Sequence, residues 1–217
     1  MIGTTPSATQ IETAVGARYA TLASSCCSSL SCGAALDRAA PVPGETVVDL
    51  GCGRGQDVVR AAALVRDGGQ AIGVDLSAEM LEKARRLVPG SLSNVRFVRS
   101  GFAPLDLPDA IADVVVSNCA INHAPDKEAV YREIHRVLRP GGRFVVADVV
   151  AEEELPESVR SDPAAWAACY GGAIPEAEYV AAAGRAGFDA LEVLERSEPY
   201  EKEGVWIRSL TLKGTKR

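Results

Sequence analysis

The sequence predicts an α/β domain with a seven-stranded, mostly parallel sheet, helices on both of its faces and an antiparallel edge strand. Short apolar segments alternate with amphipathic segments from residue 46 onwards, which is typical of parallel strands joined by helices. The length of 217 residues and the apolar content of 47% suit one domain with a sizeable core. Aromatic residues make up only 5%, so aliphatic side chains should build that core.

Each predicted element is bounded by a local start or stop signal. The predicted strands are 46–50, 71–74, 95–98, 112–116, 143–149, 190–195 and 205–212. The predicted helices are 10–22, 56–66, a segment after Ser77, 127–138 and 175–186, and a loop is expected over 24–34. Ser77 is placed to cap its helix, whose apolar face should be Met80, Leu81, Ala84 and Leu87. The Pro-Gly-Gly segment at 140–142 should end the helix before it.

The charge and hydropathy patterns exclude several classes of partner. A net charge of −6 argues against a nucleic-acid partner, because phosphate binding requires a basic surface. No apolar run approaches the roughly 20 residues that span a bilayer. The polar N-terminal segment lacks the basic-then-apolar pattern of a signal peptide. We therefore expect a cytoplasmic protein with no nucleic-acid or membrane partner.

A glycine-rich turn is predicted between the first strand and the following helix. Glycine at 51, 53 and 55 allows the backbone to turn sharply and approach a ligand closely. Asp75 ends the second predicted strand, 20 residues later, where it can accept hydrogen bonds from the ribose hydroxyls of an adenosine ligand. The GxGxG spacing, preceded by Asp49, favours S-adenosylmethionine over a nicotinamide dinucleotide. The alternative is a tight turn followed by an unrelated surface carboxylate.

Four segments together resemble the class I S-adenosylmethionine-dependent methyltransferases: VVDLGCGRGQD, AIGVDLSAEML, ADVVVSNCAIN and EIHRVLRPGGRFVVADV. The resemblance runs over about residues 46–150 and implies a Rossmann-like fold and methyl transfer by in-line displacement, in which positioning contributes much of the catalysis. It also implies a single methyltransferase domain, with a cofactor-binding core at 46–150 and acceptor-side helices and closing strands at 151–217. The N-terminal helix and cysteine-rich loop would occupy 1–45. The implied cofactor-binding residues are Asp49, Gly51, Gly53, Gly55, Asp75, Leu76, Phe102 and Asn118.

The six cysteines bear on the methyl acceptor. They are Cys26, Cys27, Cys32, Cys52, Cys119 and Cys169. In a chain of this length with no export signal, the thiols are expected to be reactive, ligand-binding or buried rather than disulfide-bonded. The CC-x4-C spacing near the N-terminus lacks a fourth nearby ligand and the usual C-x2-C pair, so we predict no zinc site.

The segments that carry cysteine resemble the arsenite methyltransferase family more narrowly. These segments are Ser117-Asn118-Cys119 with Asn122, Lys127 and EIHRVL at 133–138, the Cys-x-Gly-Gly-Ala pattern around Cys169, Tyr19 with the Cys26-Cys27 pair, and Ser31-Cys32-Gly33. The resemblance implies that trivalent arsenic is the acceptor, and soft thiolates suit such a centre. It also implies a thiol reductant as co-substrate. The implied acceptor-site cysteines are Cys169, Cys52 and one or more of Cys26, Cys27 and Cys32.

One departure and several alternatives remain open. Eukaryotic-type members of that family carry a further arsenic-binding cysteine near the C-terminus, whereas no cysteine follows Cys169 here. Cys52 and Cys119 can equally be buried fillers, since free cysteine packs as a small apolar side chain. His123 is expected at the ligand-binding sheet edge as an acid, a base, a substrate contact or a surface residue. Trp166 and Tyr170 are expected to wall the acceptor pocket.

Two other functions fit the sequence. The protein could be a small-molecule methyltransferase acting on oxygen, nitrogen, carbon or sulfur, with cysteines that only pack. It could also be a non-catalytic, thiol-based metalloid-binding protein that keeps a cofactor fold.

Overall fold

The computed structural model describes residues 5–24 and 34–217. Cys26, Cys27 and Cys32 therefore lie outside the described residues. The helices are α1 (Ala8–Ser24), α2 (Ala35–Ala39), α3 (Gln56–Val65), α4 (Ala78–Leu87), α5 (Lys127–Val137), α6 (Glu157–Arg160), α7 (Pro163–Ala167) and α8 (Glu176–Arg185), with a 3-10 helix at Ile121–His123. The strands are β1 (Thr46–Leu50), β2 (Gln70–Asp75), β3 (Val95–Arg99), β4 (Ala112–Asn118), β5 (Leu138–Ala151), β6 (Ala190–Arg196), β7 (Tyr200–Lys202) and β8 (Val205–Thr215).

The sheet has the predicted α/β architecture. Its strand order is β3-β2-β1-β4-β5-β8-β6, and the three-residue β7 pairs with β8. Strands β1 to β5 are parallel, whereas β8 is antiparallel to both β5 and β6. The prediction of seven mostly parallel strands is confirmed along this path, and the antiparallel strand lies one position in from the edge.

Apolar cores cover both faces of the sheet. One core includes Ile134 of α5, Tyr179 of α8 and Phe144 of β5. The other includes Leu36 of α2 and Val58 of α3, packed on β1, β2, β4 and β5. Burial on both faces explains why the strands are nearly continuous apolar runs.

The predicted cap of α4 is confirmed, because the Ser77 hydroxyl accepts a hydrogen bond from the Met80 amide at 3.1 Å. Met80, Leu81 and Ala84 are buried as expected. Leu87 was assigned wrongly to the same apolar face, since 46% of it is exposed. It is the last residue of α4, and the turn that follows is largely exposed and leaves its side chain uncovered.

The largest boundary difference concerns β5. It begins at Leu138, directly after α5, and not at residue 143. Leu138 pairs with Ala112, and the register shifts before Arg143 pairs with Val114. The Gly141 amide donates to the Lys216 carbonyl, and the Lys216 amide donates to the Gly142 carbonyl. The Pro-Gly-Gly segment is thus paired with the end of the chain.

The short elements α2, α6 and α7 and the 3-10 helix were not predicted. With three to five residues each, they are too short to show helical periodicity. No helix in the part of the chain that the structure describes is long and apolar enough to cross a membrane.

Candidate active site

A cavity of about 370 Å³ opens at the carboxyl ends of β1, β2 and β4. Ligands bind at this edge in open α/β sheets, and the volume falls in the range of small-molecule sites. Helix α1 forms part of the wall through Ile11, Val15 and Tyr19. The acidic side chains in the wall are Glu12, Asp49, Asp57, Asp75 and Asp126.

The glycine-rich turn after β1 is held against the neighbouring strands. The amides of Gly51 and Cys52 both donate to the Val74 carbonyl, at 2.8 and 3.0 Å. Gly51 has a φ of +74°, and a Cβ on it would collide with the Cβ of Ala120. Gly53 has a φ of +50° and open space beside it, so its backbone is accessible to a ligand.

Asp75 stands at the end of β2 with both carboxylate oxygens oriented by backbone amides. The Gly53 amide donates to Oδ2 at 2.9 Å, and the Ser77 amide donates to Oδ1 at 2.8 Å. Burial raises the pKa of Asp75, and these amides oppose that rise. Each oxygen keeps a further acceptor site, so the carboxylate can bind a pair of hydroxyls.

Asp49 lies deeper in the same cavity and is only 5% exposed. Burial raises its pKa well above the ordinary value, and the charges of Asp57 and Asp75 raise it further. Asp57 accepts a hydrogen bond from the Asn118 amide group at 3.2 Å. Clustered carboxylates of this kind favour a ligand that carries positive charge.

This set of groups fits S-adenosylmethionine. Asp75 suits the ribose hydroxyls, and the carboxylates of Asp49 and Asp57 suit the sulfonium and ammonium charges. Of the eight predicted cofactor residues, seven line the cavity: Asp49, Gly51, Gly53, Asp75, Leu76, Phe102 and Asn118. Gly55 is not in the lining, and a Cβ there would come within 2.8 Å of the Ala84 Cβ. It allows α3 and α4 to pack closely.

Cys52 borders the cavity, but its sulfur packs towards the sheet. A Cβ on Gly73 would lie 2.8 Å from its Sγ and as close to the Phe97 ring. Burial raises the pKa of the Cys52 thiol, and the charges of Asp49 and Asp75 raise it further. The packing agrees with the interpretation of Cys52 as a buried filler, and its role in acceptor binding stays a prediction.

A second group of side chains meets at the end of the cavity that is formed by α1 and the 3-10 helix. The Cys169 Sγ lies 3.4 Å from His123 Nε2 and 3.7 Å from the Tyr19 hydroxyl. The Tyr19 hydroxyl is also 3.2 Å from His123 Nε2. The Cys169 thiol can donate to the Cys119 carbonyl at 3.3 Å. Tyr19, Cys119 and His123 all line the cavity, so the Cys169 thiol adjoins it.

The contact between His123 Nδ1 and the Trp166 carbonyl determines the tautomer of the ring. Nδ1 lies 3.0 Å from the Trp166 carbonyl, which can only accept, so Nδ1 carries the hydrogen and Nε2 presents a lone pair. Burial lowers the pKa of His123 to about 4, and the charges of Lys127 and Arg18 add to that effect. The ring is therefore neutral near pH 7.

Both cysteines of this group have a left-handed backbone. The φ angles are +53° at Cys119 and +71° at Cys169, and such conformations cost non-glycine residues about 1–3 kcal/mol each. The same conformation occurs at Ala40, Arg66, Ala110 and Glu203, which are outside the lining of the cavity. The backbone strain therefore accompanies this group and does not by itself mark it as a site.

Trp166, Cys169 and Tyr170 are all outside the lining of the 370 Å³ cavity. That Trp166 and Tyr170 wall the acceptor pocket therefore stays a prediction. The Trp166 indole N–H donates to the Arg160 carbonyl, and the residue contributes only its backbone carbonyl to His123. Tyr170 packs beneath the Lys202 ammonium group, 5.1 Å from its ring centre. Sequence reasoning also missed Asp57, which ends the VVDLGCGRGQD segment but was given no role in the site.

The parallel sheet, the glycine-rich turn and the acidic cavity define an S-adenosylmethionine-binding methyltransferase. A family profile described as a methyltransferase domain matches residues 41–204. The chain therefore belongs to the S-adenosylmethionine-dependent methyltransferases, and its named relatives include arsenite methyltransferases.

Two such relatives come from Halobacterium salinarum and Aquipseudomonas alcaligenes. The first is 40% identical over 82% of this chain and 46% of its own length. The second is 36% identical over 88% of this chain and 54% of its own length. The chain thus spans about half the length of these relatives. The crystal structure of an arsenic(III) S-adenosylmethionine methyltransferase from Chlamydomonas reinhardtii superimposes with a TM-score of 0.73 at 30% identity, covering 94% of this chain and 72% of that one.

Replacing Asp75 by alanine should weaken cofactor binding by about 1–3 kcal/mol, because the ribose hydroxyls lose a charged acceptor. Isothermal titration with S-adenosylhomocysteine measures the change. Asp67→Ala, which removes an exposed carboxylate from the turn before β2, is the matched control and should leave the affinity unchanged. Equal affinities for Asp75→Ala and the parent protein would show that Asp75 does not hold the ribose.

Proposed function

We propose that this protein transfers the methyl group of S-adenosylmethionine to thiol-bound trivalent arsenic. The observation that carries the proposal is the Cys169 thiol, which adjoins the cofactor cavity through its contacts with Tyr19, Cys119 and His123. A thiol at the acceptor end suits a soft, thiophilic centre. The arsenite methyltransferases among its relatives support the same acceptor.

The chain's own groups bind and orient the two reactants. S-adenosylmethionine, when bound, supplies an electrophilic methyl group on a good sulfonium leaving group. Asp75 would hold the ribose, and Asp49 would face the cationic end of the cofactor. The sulfur of Cys169 would hold arsenic with its lone pair free to form the new As–C bond. Methyl transfer of this kind requires alignment of donor and acceptor more than proton transfer.

The N-terminal cysteines complete the proposed arsenic site. Helix α1 brings Tyr19 to the Cys169 sulfur, and α1 ends at Ser24, two residues before Cys26. Cys26, Cys27 and Cys32 follow this helix in the sequence and lie outside the described residues, so their part in binding arsenic is carried by the family resemblance alone. Which of the three cysteines binds arsenic stays a prediction. The thiol reductant, the cytoplasmic location and the division of the domain at residues 45 and 150 also stay predictions.

The test incubates the protein with methyl-labelled S-adenosylmethionine and a thiol reductant, with either arsenite or a panel of organic acceptors. We expect label in a methylated arsenical. Label in an organic product alone would favour a small-molecule methyltransferase. Tight arsenite binding without transfer in either arm would favour a metalloid-binding protein.

A further inference from the structure

The hydrogen-bond pattern around Cys169 places a proton acceptor beside its thiol. The Trp166 carbonyl fixes the hydrogen of His123 on Nδ1, which leaves the lone pair of Nε2 facing the Cys169 sulfur at 3.4 Å. Because Trp166 lies in α7 and Cys169 follows α7 closely, the same segment orients both the ring and the thiol. The pair has the geometry of a nucleophile and its base.

The Tyr19 hydroxyl completes the arrangement from helix α1. It lies within reach of both His123 Nε2 and the Cys169 sulfur. Once the thiol hydrogen points to Nε2, the Tyr19 hydroxyl can donate to the sulfur and stabilise the charge that develops there. Burial raises the pKa of Tyr19, so the hydroxyl keeps its hydrogen and acts as a donor.

We propose that His123 is the catalytic base that takes the proton of the Cys169 thiol as the sulfur binds arsenic. Because the free ring is a weak base, the proton moves only as the new bond to sulfur forms and makes the S–H strongly acidic. The inference rests on the proposed arsenic acceptor. In the step, an As–S bond forms, an As–O bond of arsenous acid breaks, and the thiol proton passes through Nε2 to the departing hydroxide, which leaves as water. Arsenic stays trivalent, and no oxidant or reductant is needed. If arsenic arrives as a thiol conjugate, the departing thiolate takes the proton instead.

The test follows capture of arsenite by tryptophan fluorescence in rapid mixing, without cofactor. A Trp206→Phe background removes the exposed tryptophan of β8 and leaves Trp166, three residues from Cys169, as the reporter. The fluorescence phase that Cys169→Ser abolishes is the capture step. In this background, His123→Asn keeps a donor near the Trp166 carbonyl but loses the Nε2 lone pair. It should slow capture at least about tenfold. Loss of a general base typically slows a reaction by about 10²–10⁴-fold, so this threshold lies below the usual effect.

Two further readouts separate a base from a merely structural residue. Added imidazole should restore part of the capture rate of His123→Asn and leave the parent unchanged. Tyr19→Phe should slow capture less than His123→Asn does. Both variants should give the circular dichroism spectrum of the parent, and His123→Gln replaces His123→Asn if the latter does not fold. Capture at the parent rate by a folded His123 variant would overturn the proposal.

Alkylation of Cys169 by iodoacetamide, followed by peptide mass spectrometry, tests His123 independently of arsenic. A slower alkylation in His123→Asn supports the role as proton acceptor, and an equal rate overturns it. If the parent captures no arsenite while the variant is alkylated slowly, the arsenic function fails and the proton-acceptor role of His123 stands.

Discussion

Replacing Cys169 by serine should lower arsenite methylation by roughly 100-fold or more and leave the affinity for S-adenosylhomocysteine nearly unchanged. The substitution exchanges a soft sulfur ligand for a hard, mostly protonated hydroxyl. Serine can still donate to the Cys119 carbonyl, so the left-handed backbone and the contacts to Tyr19 and His123 can persist. Initial rates with labelled cofactor measure the first effect, and isothermal titration measures the second.

Replacing Cys119 by serine is the control for Cys169→Ser. Cys119 is 4% exposed, and it is the backbone carbonyl that contacts the Cys169 thiol. Cys119→Ser should therefore lower the free energy of unfolding and reduce methylation only a few-fold. A Cys169→Ser protein that methylates arsenite at the parent rate would remove the main support for the arsenic acceptor, although the methyltransferase fold would still stand.

The parts of the fold that were predictable are those that a local pattern specifies. The first strand and the cap of α4 were predicted correctly because an apolar run and a Ser77 hydroxyl act within a few residues. The start of β5 was not, because Leu138 joins the strand only through its pairing with Ala112, 26 positions away. Likewise, the exposure of Leu87 depends on what packs over the end of α4, which helical periodicity does not describe.

The candidate site also has a part that local patterns predict and a part that they do not. That the glycine-rich turn and Asp75 lie at one cavity could be predicted, because they are separated by one strand-helix-strand unit of known geometry. The group that we propose as the acceptor site brings together Tyr19, His123 and Cys169, the first and last 150 positions apart. Their contacts depend on how α1 and α7 pack together, and spacing along the chain carries no information on that. Asp57 was missed for a related reason, since a carboxylate in the first turn of a helix is also explained by the helix dipole.

A buried polar network supports the segment that carries His123. Lys127 and Asp148 are 5% and 3% exposed. Burial lowers the pKa of Lys127 and raises that of Asp148, while the attraction between the two charged groups opposes both shifts. The Asp148 carboxylate accepts hydrogen bonds from the backbone amide of Asn122 and from the Tyr179 hydroxyl, each at 3.2 Å. Asn122 is the residue before His123.

Replacing Lys127 by methionine should lower the free energy of unfolding by about 1–3 kcal/mol at pH 7, because the buried Asp148 carboxylate loses the attraction of the ammonium group. The loss should be smaller at pH 5. Removing the ammonium group raises the pKa of Asp148 in the folded state further above its unfolded value. A carboxyl group of this kind stabilises the fold at low pH, and that contribution is lost as the pH rises through the folded-state pKa. The deficit of the variant therefore grows from pH 5 to pH 7.

Urea denaturation of the parent, Lys127→Met, Asp148→Asn and the double variant at both pH values measures these changes. The double variant should lose less than the sum of the two single losses, since Asp148→Asn removes the charge that Lys127→Met leaves uncompensated. Lys83→Met on α4, remote from the pair, should cost less than about 0.5 kcal/mol at either pH. Additive losses that do not change between pH 5 and pH 7 would show that the two charges are not coupled. The position of His123 would then depend on its contact with Trp166 and not on this network.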